Sequence, residues 1–324
     1  MECGRREFLK AVGASAAGAF FSCGVLGVGC KERPGEIAVE AYPKRILGKT
    51  DEQVSIIAFG GIVVMDAEPE HAAKVVGEAV TRGINYFDVA PTYGDAELKL
   101  GPALKPYRDK VFLACKTQKR DKAGAEKELR ESLNRLQTDH FDLYQLHAIA
   151  DVEKDVKAAL GKGGAMETIL AARRQGLVRY IGFSAHSAEA ALAAMREFEF
   201  DTAMYPVNFA CHYNSGFETE VLAEARGQGM GTIALKAMAK QRWQGPKRYK
   251  KCWYEPVDER ELARKALSWT LAQGVSVAIP PGEESLWRMA VELGPECGEP
   301  TSVELSELEQ IAAECKVIFS SGRG

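Results

Sequence analysis

Apolar positions along the chain fall into short continuous runs that alternate with longer amphipathic stretches. Runs at 57–61, 84–87, 111–115, 141–146, 178–183, 202–207, 232–235 and 275–279 are four to six residues long, the pattern of strands buried on both faces. Between and after them, 70–82, 96–104, 126–136, 166–175, 188–198, 217–226, 259–272 and 284–292 carry apolar residues at helical spacing. Two runs at 45–48 and 53–56, separated by Lys49-Thr50-Asp51-Glu52, predict a β-hairpin ahead of the repeat, and 303–317 predicts an extra C-terminal helix. Strict strand–helix alternation calls for a parallel sheet with right-handed crossovers. Eight such units close into an α/β (β/α)8 TIM barrel, here with an N-terminal β-hairpin and the extra C-terminal helix. The rival, an open doubly wound sheet, usually carries a G-x-G-x-x-G turn after its first strand, and this chain has none.

The first 30 residues do not fit that repeat. Arg5-Arg6 precedes Phe8-Leu9-Lys10, and 11–29 has no charged residue but many Ala and Gly. This looks like a twin-arginine (Tat) export signal. Its glycines and modest hydrophobicity argue against a stable membrane span. Gly27-Val28-Gly29-Cys30 resembles a lipoprotein cleavage box, so Cys30 is either lipidated, anchoring the chain to a membrane, or lost by plain cleavage. The expected organisation is a leader 1–30, a polar tether 31–41 and a barrel 42–324. The implied partner is the Tat machinery, which carries folded proteins, and the implied location is the periplasm or cell envelope.

The formal charge is −3 for the whole chain, and the leader contributes +1, leaving about −4 afterwards. That is no nucleic-acid footprint. Beyond the leader, Cys115, Cys211, Cys252, Cys297 and Cys315 form no C-x-x-C and no zinc or iron–sulfur spacing.

In a parallel barrel, chemistry gathers at the carboxyl ends of the strands. Asp88 follows the second strand, Tyr93 lies on the loop just beyond, Lys116 ends the third strand and His147 the fourth. Singly, each has a bland reading: a turn cap, a packing ring, a solvated lysine, a structural histidine. Four at successive strand ends are hard to explain as packing. Their chemistry is coherent. A phenol with pKa about 10 exchanges its proton poorly at pH 7. A nearby ammonium, Lys116, would lower that pKa, and a buried ammonium needs an anion, the role open to Asp88. His147 could donate to a substrate oxygen.

The stretches 83–97 (GINYFDVAPTYGDAE), 112–116, 131–147 (ESLNRLQTDHFDLYQLH) and 176–184 (GLVRYIGFS) resemble the aldo/keto reductase family over nearly the whole mature length. The resemblance implies a catalytic tetrad of Asp88, Tyr93, Lys116 and His147 and a nicotinamide cofactor, NADP or NAD, bound without a Rossmann fold. It implies hydride transfer between that cofactor and a small carbonyl or alcohol substrate. Ser184 matches the family serine at the nicotinamide carboxamide. The usual next residue, Asn, is Ala185 here; His186 either compensates or is a surface residue. The family's glutamine aligns nearest to Met204.

The loop 236–251 holds Lys236, Lys240, Arg242, Lys247, Arg248, Lys250 and Lys251 and no acid. It is either a solvated basic loop or, as the family implies, a cover for the pyrophosphate, with Lys236 the leading contact. Trp243, Trp253 and Tyr254 either shape the substrate pocket or simply pack. In the loop Pro280-Pro281-Gly282-Glu283-Glu284, Pro281 and Gly282 stand where NADPH-selective relatives carry a 2′-phosphate grip, and Arg288 is within reach. The acidic pair would repel a phosphate and accept from a ribose hydroxyl, favouring NAD(H). Two other classes stay open: an exported cofactor-binding regulatory or scaffold protein of the same fold, and a carbohydrate-binding barrel resting on the mouth aromatics.

Overall fold

A computed structural model describes residues 42–320. The leader, Cys30 and the tether lie outside the described residues. The hairpin β1 (Lys44–Ile46) and β2 (Gln53–Ser55) opens the described chain. Then come β3 (Phe59–Gly60), β4 (Tyr86–Asp88), β5 (Phe112–Thr117), β6 (Phe141–Ile149), β7 (Val178–Ala185), β8 (Thr202–Pro206) and β9 (Gly231–Leu235). A small pair, β10 (Ala239–Gln241) and β11 (Glu255–Pro256), sits in the loop before β12 (Val277–Ile279). β3 to β9 and β12 pair in parallel in chain order. The ring closes where Ala58 N donates to Ala278 O (3.0 Å) and Ala278 N donates to Ile56 O (2.8 Å). The expected (β/α)8 barrel is present.

Helices α1 (Pro69–Thr81), α2 (Ala96–Leu104), α3 (Lys122–Arg135), α4 (Ala158–Leu160), α5 (Ala165–Arg174), α6 (Ala188–Glu197), α7 (Phe209–Ser215), α8 (Thr219–Gly227), α9 (Arg260–Ala272) and α10 (Glu284–Leu293) surround it. The extra helix is α11 (Ser302–Ala313), begun by a capping box between Thr301 and Glu304. It stops four residues before the periodicity does. The apolar residues beyond it are used differently: the chain leaves the helix and lays Lys316 and Val317 against Arg242, whose N and Nε donate to their carbonyls.

Strand parity sorts the side chains into two cores. Residues facing outward, such as Phe87, Leu113, Cys115 and Tyr144, pack under the helices. Those facing inward, Tyr86, Phe112, Ala114, Leu143, Met204, Ile233, Val277 and Ile279, fill the barrel. Leu47 and Val54 of the hairpin segment join this inner cluster. The interior is therefore largely filled by apolar side chains.

Helix α2 crosses the end of α3 closely at Gly101. A Cβ there would lie 2.5 Å from Arg135 O and 2.6 Å from Leu136 Cα, both backbone atoms that cannot swing away. Gly101→Ala is expected to cost about 1–3 kcal/mol by overpacking. Urea denaturation of the variant checks this; unchanged stability would mean the helices separate freely.

Candidate active site

Asp88 shares inward parity with Tyr86 on β4, Lys116 with Phe112 and Ala114 on β5, and His147 with Leu143 on β6. The same alternation that fills the barrel with apolar groups thus ends in three polar ones at its rim. Register aligns them, with Asp88 opposite Ala114 and Lys116 opposite Gln145. β6 runs two residues past the expected end at His147. Its register shifts between Leu146 and Ile149, and Ala148 adopts φ 54, a left-handed conformation uncommon outside glycine. Such a bulge re-aims the side chain beside it. Arg120 secures the turn by donating to His147 O at 2.7 Å.

Lys116 is fully buried and its Nζ donates to Asp88 Oδ2 at 2.5 Å and to Val89 O at 3.2 Å. The ammonium lies 5.4 Å from the centroid of the Tyr93 ring. The Tyr93 and His147 rings meet edge to face at 5.9 Å. The four residues singled out from the sequence are therefore one cluster.

Electrostatics sharpen the roles. Burial raises the Asp88 carboxyl, and the Lys116 ammonium pulls it partly back. Lys116 is pushed down by burial, but Asp88 and then Tyr93 outweigh this and hold it charged. The Tyr93 phenol is moved up by burial, against the downward pull of Lys116. The expected lowering by Lys116 is thus real but smaller than desolvation, and the phenol keeps its proton at neutral pH. His147 is driven down to about 2, mainly by burial and then by Lys116, so it stays neutral.

Ser184 Oγ accepts from Ala148 N at 2.7 Å, which ties β7 to the bulge beside His147. Met204 is a barrel-filling residue, with no polar contact to replace a glutamine. Two polar residues at the rim were not singled out in the sequence. Gln145 is buried on β6 beside Asp88, whose carboxyl it helps to lower, and its amide makes no close hydrogen bond. Asn208 follows β8 and is fully buried. Its Oδ1 caps α7 at Cys211 N (2.9 Å) while Nδ2 lacks a partner. Strand-end position was the only signal for either.

His186 is half-buried rather than a surface residue, and its ring lies 5.2 Å from Phe319. Lys236 Nζ stands 3.5 Å from His186 Nε2. Gly282 and Arg288 stand apart from the tetrad. A Cβ on Gly282 would lie 2.3 Å from Ile62 Cγ2, so glycine lets the loop pack there. Arg288 Nη1 donates to Glu78 (2.7 Å) and Nε to Glu284 (2.9 Å), binding α10 to α1. The long loop is strapped down: Lys251 N donates to Glu283 (2.7 Å) and Lys251 Nζ to Val63 O (2.7 Å). A cavity of about 850 Å³ between α6 and the α7–α8 turn includes none of the tetrad and shares only His186 with the mouth.

Known proteins share this fold and parts of this sequence. The chain is 31% identical over 155 residues to the uncharacterized oxidoreductase YqkF of Bacillus subtilis, covering 44% of this chain and 48% of that protein. It therefore spans about half of that relative's length. L-galactose dehydrogenase of Arabidopsis thaliana is 29% identical over 245 residues, 68% of this chain and 73% of the plant protein. Among solved structures, the holo form of an aldo-keto reductase from Bacillus halodurans superposes with a TM-score of 0.68 at 22% identity, covering 86% and 98% of the two chains. One from Klebsiella pneumoniae, solved in complex with NADPH, gives 0.66 at 20% identity with the same coverage. The Aldo/keto reductase family model matches residues 57–284, and on that extent the chain belongs to the aldo/keto reductase family.

Proposed function

We propose that this protein reduces an aldehyde or ketone to an alcohol, or catalyses the reverse, with Tyr93 as general acid and base. The observation carrying this reading is the buried Lys116–Asp88 pair at 2.5 Å with its ammonium over the Tyr93 ring. Two buried charges are expensive unless they serve each other and a third group. Tyr93, held protonated by burial, gives its proton to the carbonyl oxygen. Neutral His147 donates a hydrogen bond to that oxygen as charge develops on it. Hydride is the one thing these side chains cannot supply; it comes from a nicotinamide dinucleotide when one is bound. Ser184 and the Asn208 amide nitrogen would hold a carboxamide, since both bring polar atoms to neighbouring strand ends. The reading is tested by whether purified protein oxidises NAD(P)H with simple aldehydes. Retained cofactor without turnover would instead favour a regulatory or scaffold role.

The pH profile follows from the direction of the Tyr93 shift. Reduction needs the protonated phenol, so a raised pKa preserves activity as pH climbs. With a neutral aldehyde, kcat/KM is expected to stay flat from about pH 6 to 9 and fall only above the ordinary tyrosine value of about 10. A falling limb near pH 7 would argue for a different acid.

NAD(H) is the favoured cofactor. Arg288 is already held by Glu78 and Glu284, and Glu284 also meets His71 at 2.6 Å. A 2′-phosphate would have to break those pairs beside carboxylates. Titrating both reduced cofactors is expected to give NADH a dissociation constant no higher than that of NADPH. NADPH binding tenfold tighter would overturn the preference.

Export in the folded state rests on the twin-arginine leader, which lies outside the described residues. Among the described residues no helix is long and apolar enough to cross a membrane. Mass spectrometry of the protein from its cell envelope would report cleavage, lipidation of Cys30 and retained cofactor together.

A further inference from the structure

One cation at the barrel mouth has no carboxylate partner among the described residues. Lys236 follows β9 directly with φ 58, again left-handed, which turns its side chain out of the strand's alternation. Its Nζ lies 3.5 Å from His186 Nε2, 5.6 Å from the centroid of Trp253 and 5.4 Å from that of Phe319. Among the described residues no carboxylate pairs with it. Lys116, the other deep lysine, has Asp88. An ammonium taken out of water without an anion costs free energy, and ring faces compensate only in part. Burial accordingly pulls Lys236 down to about 8, the Cys211 thiol draws it partly back up, and Lys116 repels it. His186 N donates to Ile149 O at 2.9 Å, two residues past His147, so ammonium and tetrad border one mouth.

The surroundings define what the ammonium can take. His186 is lowered to about 3, chiefly by burial and then by Lys236, so it is a neutral hydrogen-bonding group. Phe319 comes from the C-terminal tail and stacks on Phe217 at 5.3 Å, closing one side. Trp253 is 51% exposed, leaving the other side open. The sequence associated Lys236 with a pyrophosphate, a group that backbone amides and other cations can hold. Of the loop's other basic residues, Arg242 is engaged on Val317 O, Arg248 on Asp258 and Lys251 on Val63 O, whereas Lys240, Lys247 and Lys250 have no ion pair among the described residues. A half-buried ammonium framed by a neutral imidazole and ring faces suits a single negative charge.

We propose that Lys236, framed by His186, Trp253 and Phe319, is a carboxylate subsite, and that the substrates are oxo acids anchored there while their carbonyl faces Tyr93 and His147. This rests on the reductase reading for the carbonyl, but the anion site stands on the unpaired cation alone. A charge-assisted contact of this kind corresponds to about tenfold or more in affinity.

The test compares ω-oxo acids of three to six carbons with alkanals of the same lengths, using the full chain. At one length or more, the oxo acid is expected to have a KM at least about tenfold lower. Lys236→Met should abolish that difference, while Lys236→Arg should keep it. Equal KM values across the wild-type series would overturn the proposal, whether or not the variants fold. So would Lys236→Met weakening NAD(P)H about tenfold with discrimination intact, which would give the lysine to the cofactor. Calorimetry with succinate and glutarate separates the two readings. Binding that is lost in Lys236→Met, in a protein that reduces no aldehyde, would keep the subsite and sink the reductase reading. No binding of either diacid by wild type would count against the subsite.

Discussion

Replacing Tyr93 with Phe is expected to lower turnover by about 10²- to 10⁴-fold while cofactor affinity stays within a few-fold. The substitution removes one oxygen and little volume. It keeps the ring edge against His147 and the ring face near the Lys116 ammonium, the two contacts that locate the side chain. What disappears is the proton source at the carbonyl oxygen. No nearby group replaces it: His147 is neutral and gives a hydrogen bond rather than a proton, and the Lys116 ammonium is occupied by Asp88 and Val89 O. The decisive measurements are kcat with a good aldehyde and fluorescence titration of NAD(P)H. A variant that turns over like wild type would remove Tyr93 from the chemistry.

Lys116→Met should be the most damaging single change to stability at this site. It leaves the Asp88 carboxyl buried without its partner, a loss of about 3–5 kcal/mol. Adding Asp88→Leu should restore much of that, because an apolar pair of similar volume suits the interior. The effect has a pH signature. Burial already raises Asp88, and Lys116 restrains the rise. Without Lys116 the carboxyl climbs further and the folded state holds its proton more tightly than the unfolded state does. Stability then falls as pH rises through the folded value, so the variant's deficit should be smaller at pH 5 than at pH 8. Denaturant titrations at the two pH values measure this. A deficit independent of pH, or a double variant no better than the single, would show that packing rather than charge governs the site.

Much of this arrangement is legible in the linear chain because it is local. A strand buried on both faces reads as a continuous apolar run whatever it packs against, so all eight strands can be located. A polar residue closing such a run is conspicuous for the same reason, which is how Asp88, Lys116 and His147 stand out. The loop 236–256 is different. Its strand pair depends on Arg242 meeting the C-terminal tail and on Lys251 reaching Val63, contacts between residues more than sixty positions apart. Helical periodicity likewise continues past Ala313, but a tertiary contact ends the helix first. His186 illustrates the limit: nothing in its neighbours along the chain reveals the ring of Phe319 that half buries it.

The sequence by itself determined the barrel and the order of its polar strand ends, since periodicity and residue type act over a few neighbours; the grouping of four of them as a tetrad is what the family resemblance implies. Only the tertiary structure decided the balance of charge. Whether Lys116 or burial prevails at Tyr93, whether Arg288 is free, and whether Lys236 has an acid beside it all depend on distances and desolvation. Those are set by which remote side chains the fold brings together.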